Sequence, residues 1–465
     1  MNDEYHFVQA YVEWDERHYS LLNDLLLELT SNNIKYVILK NDEGLPFENH
    51  SKDVDIVIEP STYDLVATLI KKCYKSNGIS HYKIHRFDRL RCWYGMNPDT
   101  QFAIHIDLLE GFFHKGCETI PFDMLYEHSL YNKNGIRVLD EPMANVALLM
   151  HSAICYHRIK DKYAQRIATA FRKYQNEFVS ILRQFLGAVN SELIAQLIDS
   201  GDFKQIANLG KRFSHASKVR AFLHHPLTTF IGVIGFLWEK MGRMVFNFSL
   251  YNDYLSVHAP DGTGKTTFIQ SLGNLLGFYY VGSASDIISL YHFRPNILPN
   301  LGAVGEKAGV MIQDKNFTVP HRAKPVGKIS SFLRMTYYWL DYVIGMPLLL
   351  RKNAQFNRIT IFDRYVYDFL IDPERTRLNL PYWVRQTFCN LVKRPKLVFI
   401  LMAPAETIYA RKKELTLDEI KEQLTRLNTL AVSNKRVYCL DATRETKEIA
   451  MDALKVFLDI FASKL

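Results

Sequence analysis

The stretch YLSVHAPDGTGKTTFIQSLGNLL constrains this chain more than any other. An apolar run ends in Ala259-Pro260-Asp261-Gly262-Thr263-Gly264-Lys265-Thr266-Thr267, and apolar residues at helical spacing follow it. A strand that enters a glycine-rich turn and leaves as a helix is the building unit of a parallel α/β sheet. The general phosphate-binding pattern is Gly-x-x-x-x-Gly-Lys-Ser/Thr, and here only its first glycine is replaced, by Ala259. Glycines at 262 and 264 let backbone N–H groups turn inward around phosphate oxygens, and the following helix N-terminus adds partial positive charge. Lys265 can then bridge the β- and γ-phosphates, and the Thr266 hydroxyl can hold Mg²⁺. Gly262, Thr263, Gly264, Lys265, Thr266 and Thr267 are therefore the expected cradle for ATP.

The rest of the chain divides by texture. At roughly 100–200 residues per domain, 465 residues make two to four domains. Apolar residues at 48% and charged residues at 23% exclude a disordered chain, a collagen-like repeat and a coiled-coil rod. Residues 1–135 mix helix and strand signals: LLNDLLLELTSNN has helical spacing, and KYVILK, VDIVIEP and FAIHIDLLEG read as strands. Residues 136–246 read as almost wholly helical, and residues 247–465 as a parallel α/β domain that includes RITIFD and KLVFILMA. The expected fold class is thus α/β multidomain, with a mixed first domain, a central helical domain and a parallel-sheet third domain.

Six cysteines lie far apart with no Cys-x-x-Cys pair, which fits neither a zinc framework nor a disulfide scaffold and suits a reducing cytoplasm. The acidic start MNDEYHFVQAYVEWDE lacks the sections of a signal peptide, so a cytoplasmic location is expected. Pro226–Trp238, the longest apolar stretch, is too short to span a bilayer and reads as a buried helix rather than an interfacial one. Peripheral membrane contact stays open. Between His151 and Leu250 there are 14 Lys/Arg against 6 Asp/Glu, whereas the remainder holds 43 against 43. All the excess positive charge therefore sits in the central segment, where an anionic partner would be attracted if the charge is not merely a solvated helical surface.

The sequence Asp-Gly-x-Gly-Lys-Thr resembles the thymidylate kinase family, and Asp363-Arg364-Tyr365 in RITIFDRYVYD is similar to that family's Asp-Arg-Tyr motif. KLVFILMAPAETIYARKKELT resembles the strand and mobile lid of the same family. The resemblance covers Tyr251 to Leu465 and implies roles. Asp363 helps hold Mg²⁺, Arg364 grips phosphate, and Asp261 contacts the acceptor. Arg411, with Lys412 and Lys413, closes over the transferring group. Phosphoryl transfer needs positive charge on the developing oxygens, and the loop alone offers only Lys265. The segment departs from the family where the acceptor should sit. Gly264 to Asp363 spans 99 positions, His292-Phe293-Arg294-Pro295 lacks the Glu of the Arg-Glu-Pro acceptor loop, and His321-Arg322-Ala323-Lys324-Pro325 has no counterpart. A different acceptor is expected, and the segment looks like kinase-like domains of bacterial surface-polysaccharide gene clusters.

The first region carries a second constellation. Asp53-x-Asp55 opens one strand and Asp107 sits within another. Carboxylates two apart on a strand share a face, and a third from a neighbouring strand would complete a divalent-metal site suited to nucleotidyl transfer. The pattern resembles the DNA polymerase β-type nucleotidyltransferase superfamily over residues 20–125, with Lys40-Asn41 where that superfamily has Gly-Ser or Gly-Gly. His105 shares the Asp107 face and reads first as a structural histidine. His224-His225-Pro226 lacks a ligand set, and Tyr367-Asp368 reads equally as acceptor-pocket wall or packing.

The expected function is an ATP- and Mg²⁺-dependent phosphotransferase fused to a nucleotidyltransferase-like domain. Its implied acceptor is a sugar, glycan or related metabolite of surface-polysaccharide synthesis. The alternatives are a nucleoside monophosphate kinase with an inert first domain, or an ATP-sensing effector that binds nucleic acid. Scattered basic residues without an aromatic-interleaved motif argue against the latter. The acceptor, the nucleotide used by the first domain and the oligomeric state are not legible in the sequence.

Overall fold

The computed structural model describes residues 5–8, 12–40, 42–49, 51–242, 253–299 and 327–465. Asn41, residues 243–246 at the end of the expected helical segment, residues 247–252 at the start of the expected third domain, and His321–Pro325 lie outside the described residues. The chain divides into two compact units rather than the expected three: Val12–Met241 with Lys464–Leu465, and Met1–Tyr11 with Gly242–Ser463. Residue 136, where the helical segment is expected to begin, falls within the first of these units, and the first residues belong with the C-terminal unit. Val8 N donates to Asn274 Oδ1 at 3.0 Å there.

The Val12–Met241 unit is built on a mixed sheet. Its strands are β1 (Tyr36–Ile38), β2 (Val54–Ile58), β3 (His81–Phe87), β4 (Leu90–Asn97) and β5 (Phe102–Leu109). They are joined by β8 (Ser129–Tyr131) and β9 (Arg137–Leu139), while β6 (Phe112–His114) and β7 (Cys117–Ile120) form a separate hairpin. The sheet order is β3-β4-β5-β2-β1-β9-β8, and β2 runs parallel to β5 with Asp55 opposite Asp107.

Each central strand is buried on both faces, which is why these strands read as continuous apolar runs. Val54, Ile56, Ile58, Ile104, Ile106 and Leu108 pack under the helices Glu16–Ser31 and Tyr63–Ser76. Val37 and Val57 face the other way, into a core shared with the helix Glu141–His151 and those after it. Period-2 alternation therefore turns Asp55 and Asp107 toward the helical segment. That segment joins the unit because it covers this face of the sheet.

Two expectations fail locally. Arg137–Leu139 is a strand rather than helix, because the β-branched apolar run IRVL completes the sheet beside β1, with Ile38 opposite Val138. The helix Pro226–Met241 is not buried: of its residues only Thr229 and Gly232 are. No described helix is long and apolar enough to cross a membrane.

The C-terminal unit holds a five-stranded, all-parallel sheet. Its strands are β10 (Tyr254–His258), β11 (Ile288–His292), β12 (Ile359–Asp363), β13 (Leu397–Met402) and β14 (Val437–Asp441), in the order β11-β12-β10-β13-β14. β10 is central, and the chain goes to one side of it and then the other. Loops at the carboxyl ends of strands at such a reversal point form a crevice. The β10 loop and the end of β12 lie there, with Val257 opposite Asp363.

Candidate functional site

In the C-terminal unit the loop after β10 has the backbone its glycines allow. Gly262 and Gly264 sit at φ +90° and +94°, where L side chains are strained. A Cβ at Gly262 would lie 2.9 Å from Lys412 Cβ and 3.2 Å from Ile408 O, so this position has no room for a side chain. Gly264 caps the helix Lys265–Tyr279. Thr263 is buried and its hydroxyl donates to Pro260 O at 2.9 Å, which fixes the turn. Thr266 is half-buried and Thr267 exposed on the first helical turn.

Lys265, buried, extends back over the loop and pairs with Asp363 Oδ1. Asp363 also accepts from Tyr5 Oη at 2.7 Å and lies 3.2 Å from His292 Nδ1. Burial would raise its pKa, but His292 and Lys265 overcome that and hold the carboxyl below the usual range. Burial and the nearby Arg364 charge both push the Lys265 ammonium down. The pair is a desolvated cation beside an ionised carboxylate, which is the donor set that a phosphate and its metal ion require.

Arg364 is buried at a positive φ of 70°, an outlier for a long side chain. Its guanidinium pairs with Asp261 and reaches Asp368 Oδ2 at 3.2 Å, while its Nε has no partner among the described residues. Arg364 thus holds two carboxylates beside the loop. Arg375 Nη1 holds Asp261 from a second side at 2.9 Å. His258 Nδ1 lies 3.2 Å from Asp368 Oδ1. Burial raises the Asp368 pKa, and Arg364 and His258 bring it back to about 2.

The segment read as a lid touches the loop. Arg411 Nη1 donates to Thr263 O at 3.4 Å and Ala442 O at 3.1 Å, Lys412 packs on Gly262, and Lys413 stands over the Tyr409 ring. In the acceptor-loop motif, Arg294 is buried against Asp341 at 2.8 Å. Asp341 in turn accepts from the backbone N–H groups of Asn296, Ile297 and Leu298, so this pair shapes the loop. Tyr367 lines a cavity of about 370 Å³ with Arg394, Arg426 and Asn434, and Asp368 belongs to the arginine network.

In the N-terminal unit, carboxylate oxygens of Asp53, Asp55 and Asp107 all lie within 4.8 Å of one another. The parallel β2–β5 register brings them together. Lys40 Nζ stands 3.1 Å from Asp55 Oδ2, and Ser51 Oγ donates to Asp53 Oδ1 at 2.7 Å. His105 Nε2 is 2.8 Å from Asp107 Oδ1, and Cys92 lies opposite Asp107 on β4.

Burial raises the Asp55 pKa to about 7; Lys40 opposes this and the two neighbouring carboxylates reinforce it. Burial would also raise Asp107, yet His105 pulls it below the usual range. Three carboxylates facing one half-exposed ammonium leave room for added cations. The cluster opens into a cavity of about 280 Å³ walled by Ala144, Leu148, His151, Cys155 and Tyr156 from the helical segment. There the helix Glu141–His151 runs into a π-helical turn at Ser152–Tyr156, a distortion common at functional sites. A cavity of about 540 Å³ shares Arg89 and Phe113 with it and is lined by Glu118, Arg220 and His224. Among the described residues, His224 and His225 join no cluster of metal-ligating groups.

Sequence reasoning missed several participants. Arg375 and Tyr5 lie 114 and 358 residues from the carboxylates they hold, and His258, next to the loop, lies 110 residues from Asp368, so no local pattern marks these pairings. Lys40 stands out in the sequence because it occupies the place of the superfamily's Gly-Ser or Gly-Gly, and His105 because it shares the Asp107 face. The chain matches no protein-family model, and no curated protein is detectably similar to it.

Proposed function

We propose that the C-terminal unit is an ATP- and Mg²⁺-dependent phosphotransferase of the thymidylate-kinase-like kind, and that the N-terminal unit carries a nucleotidyl-transfer site. The observation that supports the first part most is the meeting of Lys265 and Asp363 above the Gly262–Gly264 turn. Mg²⁺-bound ATP supplies the transferable phosphoryl group and the ion that neutralises its oxygens. Thr266 and Asp363 would hold that ion, and Gly262–Thr267 the phosphates. Lys265 and Arg411 supply fixed positive charge, and the buried setting of Lys265 strengthens its effect. Asp261, pinned by Arg364 and Arg375, presents a carboxylate that can orient an acceptor.

For the N-terminal unit, the supporting observation is the convergence of Asp53, Asp55 and Asp107 beside Lys40. Two divalent ions on such a cluster stabilise attacking and leaving oxygens. The departures in the acceptor region favour an acceptor other than thymidylate, and the resemblance to kinase-like domains of surface-polysaccharide gene clusters points to a sugar, glycan or related metabolite. The test is product analysis of ATP incubated with a panel of sugars, sugar phosphates and nucleoside monophosphates. Lys265→Ala serves as the blank, and the volume-conserving Lys265→Met controls for folding. Phosphorylation of a sugar-class acceptor supports the reading, and thymidylate as best acceptor replaces it with a nucleotide kinase. Undiminished turnover in folded Lys265 variants would overturn it.

A further inference from the structure

The helix Pro226–Met241 is inverted. A helix on a globular protein turns its apolar stripe inward. Here the inward face consists of Thr229 and Gly232, with Val233 and Phe236 partly covered. Leu227, Phe230, Ile231, Ile234, Leu237, Trp238 and Met241 are instead 45–76% exposed. Their spacing of three and four places them on one stripe. Phe222 and Leu223, exposed on the preceding helix Gly210–His224, extend the patch.

The helix is seated by design of the backbone. Gly232 and Gly116 meet so closely that a Cβ on either would collide with the other's carbonyl oxygen. Gly116 is itself tied down by its N–H donating to Asp88 Oδ2 at 2.8 Å, and Thr229 Oγ1 donates to Ala221 O at 3.1 Å. The polar contacts thus fix the helix with its apolar side outward.

Charge selects the occupant. Lys204 to Met241 carries six Lys/Arg and one acidic residue, within the segment whose excess positive charge equals the chain's whole net charge. Lys204, Lys211, Arg212 and Lys240 are exposed. A second copy would bring the same positive surface to itself. The other exposed apolar stripe among the described residues, Ile329, Leu333, Ile344 and Leu348 on the helix Lys328–Gln355, is also basic: four Lys/Arg accompany Asp341, which is buried on Arg294. Neither is complementary. An apolar stripe that includes Trp238, with Lys240 on the same helix and exposed Lys204, Lys211 and Arg212 on the two helices before it, matches the boundary of an anionic bilayer.

We propose that the helix Pro226–Met241 is an in-plane docking surface through which this chain binds anionic membranes. Its 16 residues lie in the interface and do not cross it. The full chain is sedimented with vesicles of phosphatidylcholine alone or with about one-third phosphatidylglycerol. Binding is expected to the anionic vesicles and to fall with salt. Phe230→Asp with Ile234→Asp should weaken it at least about tenfold, because charge then enters the acyl boundary. Lys211→Gln with Lys240→Gln should weaken it by about 25-fold at low salt, at roughly fivefold for each of the two charges, with the circular dichroism spectrum unchanged. Absence of binding by the folded chain overturns the proposal, as does equal binding by the Asp variant. A concentration-dependent dimer that the Asp variant dissociates would give the face to a second copy. A large fall in Tm for that variant, without vesicle binding by the parent, would give it to burial within the chain. Either result overturns the proposal.

Discussion

The two candidate sites solve opposite electrostatic problems. In the C-terminal unit the buried charges are paired: Lys265 on Asp363, Arg364 on Asp261 and Asp368, and Arg375 on Asp261. In the N-terminal unit three carboxylates face Lys40 alone among the ammonium and guanidinium groups paired with them. On the proposed reading the first site sets its own cations for an anion. The second, short of positive charge, would take a cation. Breaking a paired site should therefore cost catalysis and stability together, because a partner is left buried and uncompensated. Neutralising a residue of the underpaired site should cost function while easing repulsion.

The sharpest break of this contrast is Lys265→Ala. Phosphotransfer should fall by at least about a hundred- to thousand-fold, the size of losing one fixed transition-state donor, and Tm should drop as Asp363 loses its cation. A folded variant with near-parent turnover in single-turnover kinetics would dissolve the distinction. Asp55→Asn comes next. Nucleotidyl transfer and Mn²⁺ binding by calorimetry should both be lost, while phosphotransfer stays at the parent rate and Tm without metal does not fall. If both activities fell together, the two sites would not be separable.

Asp261→Asn should act more modestly, by about tenfold in acceptor KM, the worth of a charge-assisted hydrogen bond, with ATP affinity unchanged. Equal loss of ATP and acceptor binding would make Asp261 a brace for Arg364 only. The smallest effect is on pH dependence. Asp55 has a folded pKa near 7, above the ordinary value near 4, so the fold favours its protonated form. That contribution is complete below about pH 4 and is lost as pH rises through 7. Without metal, the N-terminal unit should lose on the order of 2 kcal/mol across that window, read as denaturant midpoints. Asp55→Asn should flatten the curve, and an identical slope in the variant would assign the titration to another group.

The sequence by itself determined the conformation of the C-terminal loop. Every requirement there is local: two glycines at positive φ, a lysine at the first helical position, and an apolar strand before them. The strands carrying Asp55 and Asp107 were equally legible, as was the parallel sheet, because burial on both faces leaves runs that are apolar apart from those carboxylates and His105. Tertiary structure alone decided which side chains those loci meet. Arg375 comes 114 residues after Asp261, and no spacing rule connects them. The convergence of Asp53, Asp55 and Asp107 depends on the β2–β5 register, where a one-residue slip would turn the carboxylates away. The helical segment was legible as helix but not as the wall of that site, because composition cannot show which sheet face a helix covers. For the same reason Pro226–Met241 read as buried: apolar spacing reports that a helix has an apolar face, and only the packing of Gly232 on Gly116 shows which way that face is turned.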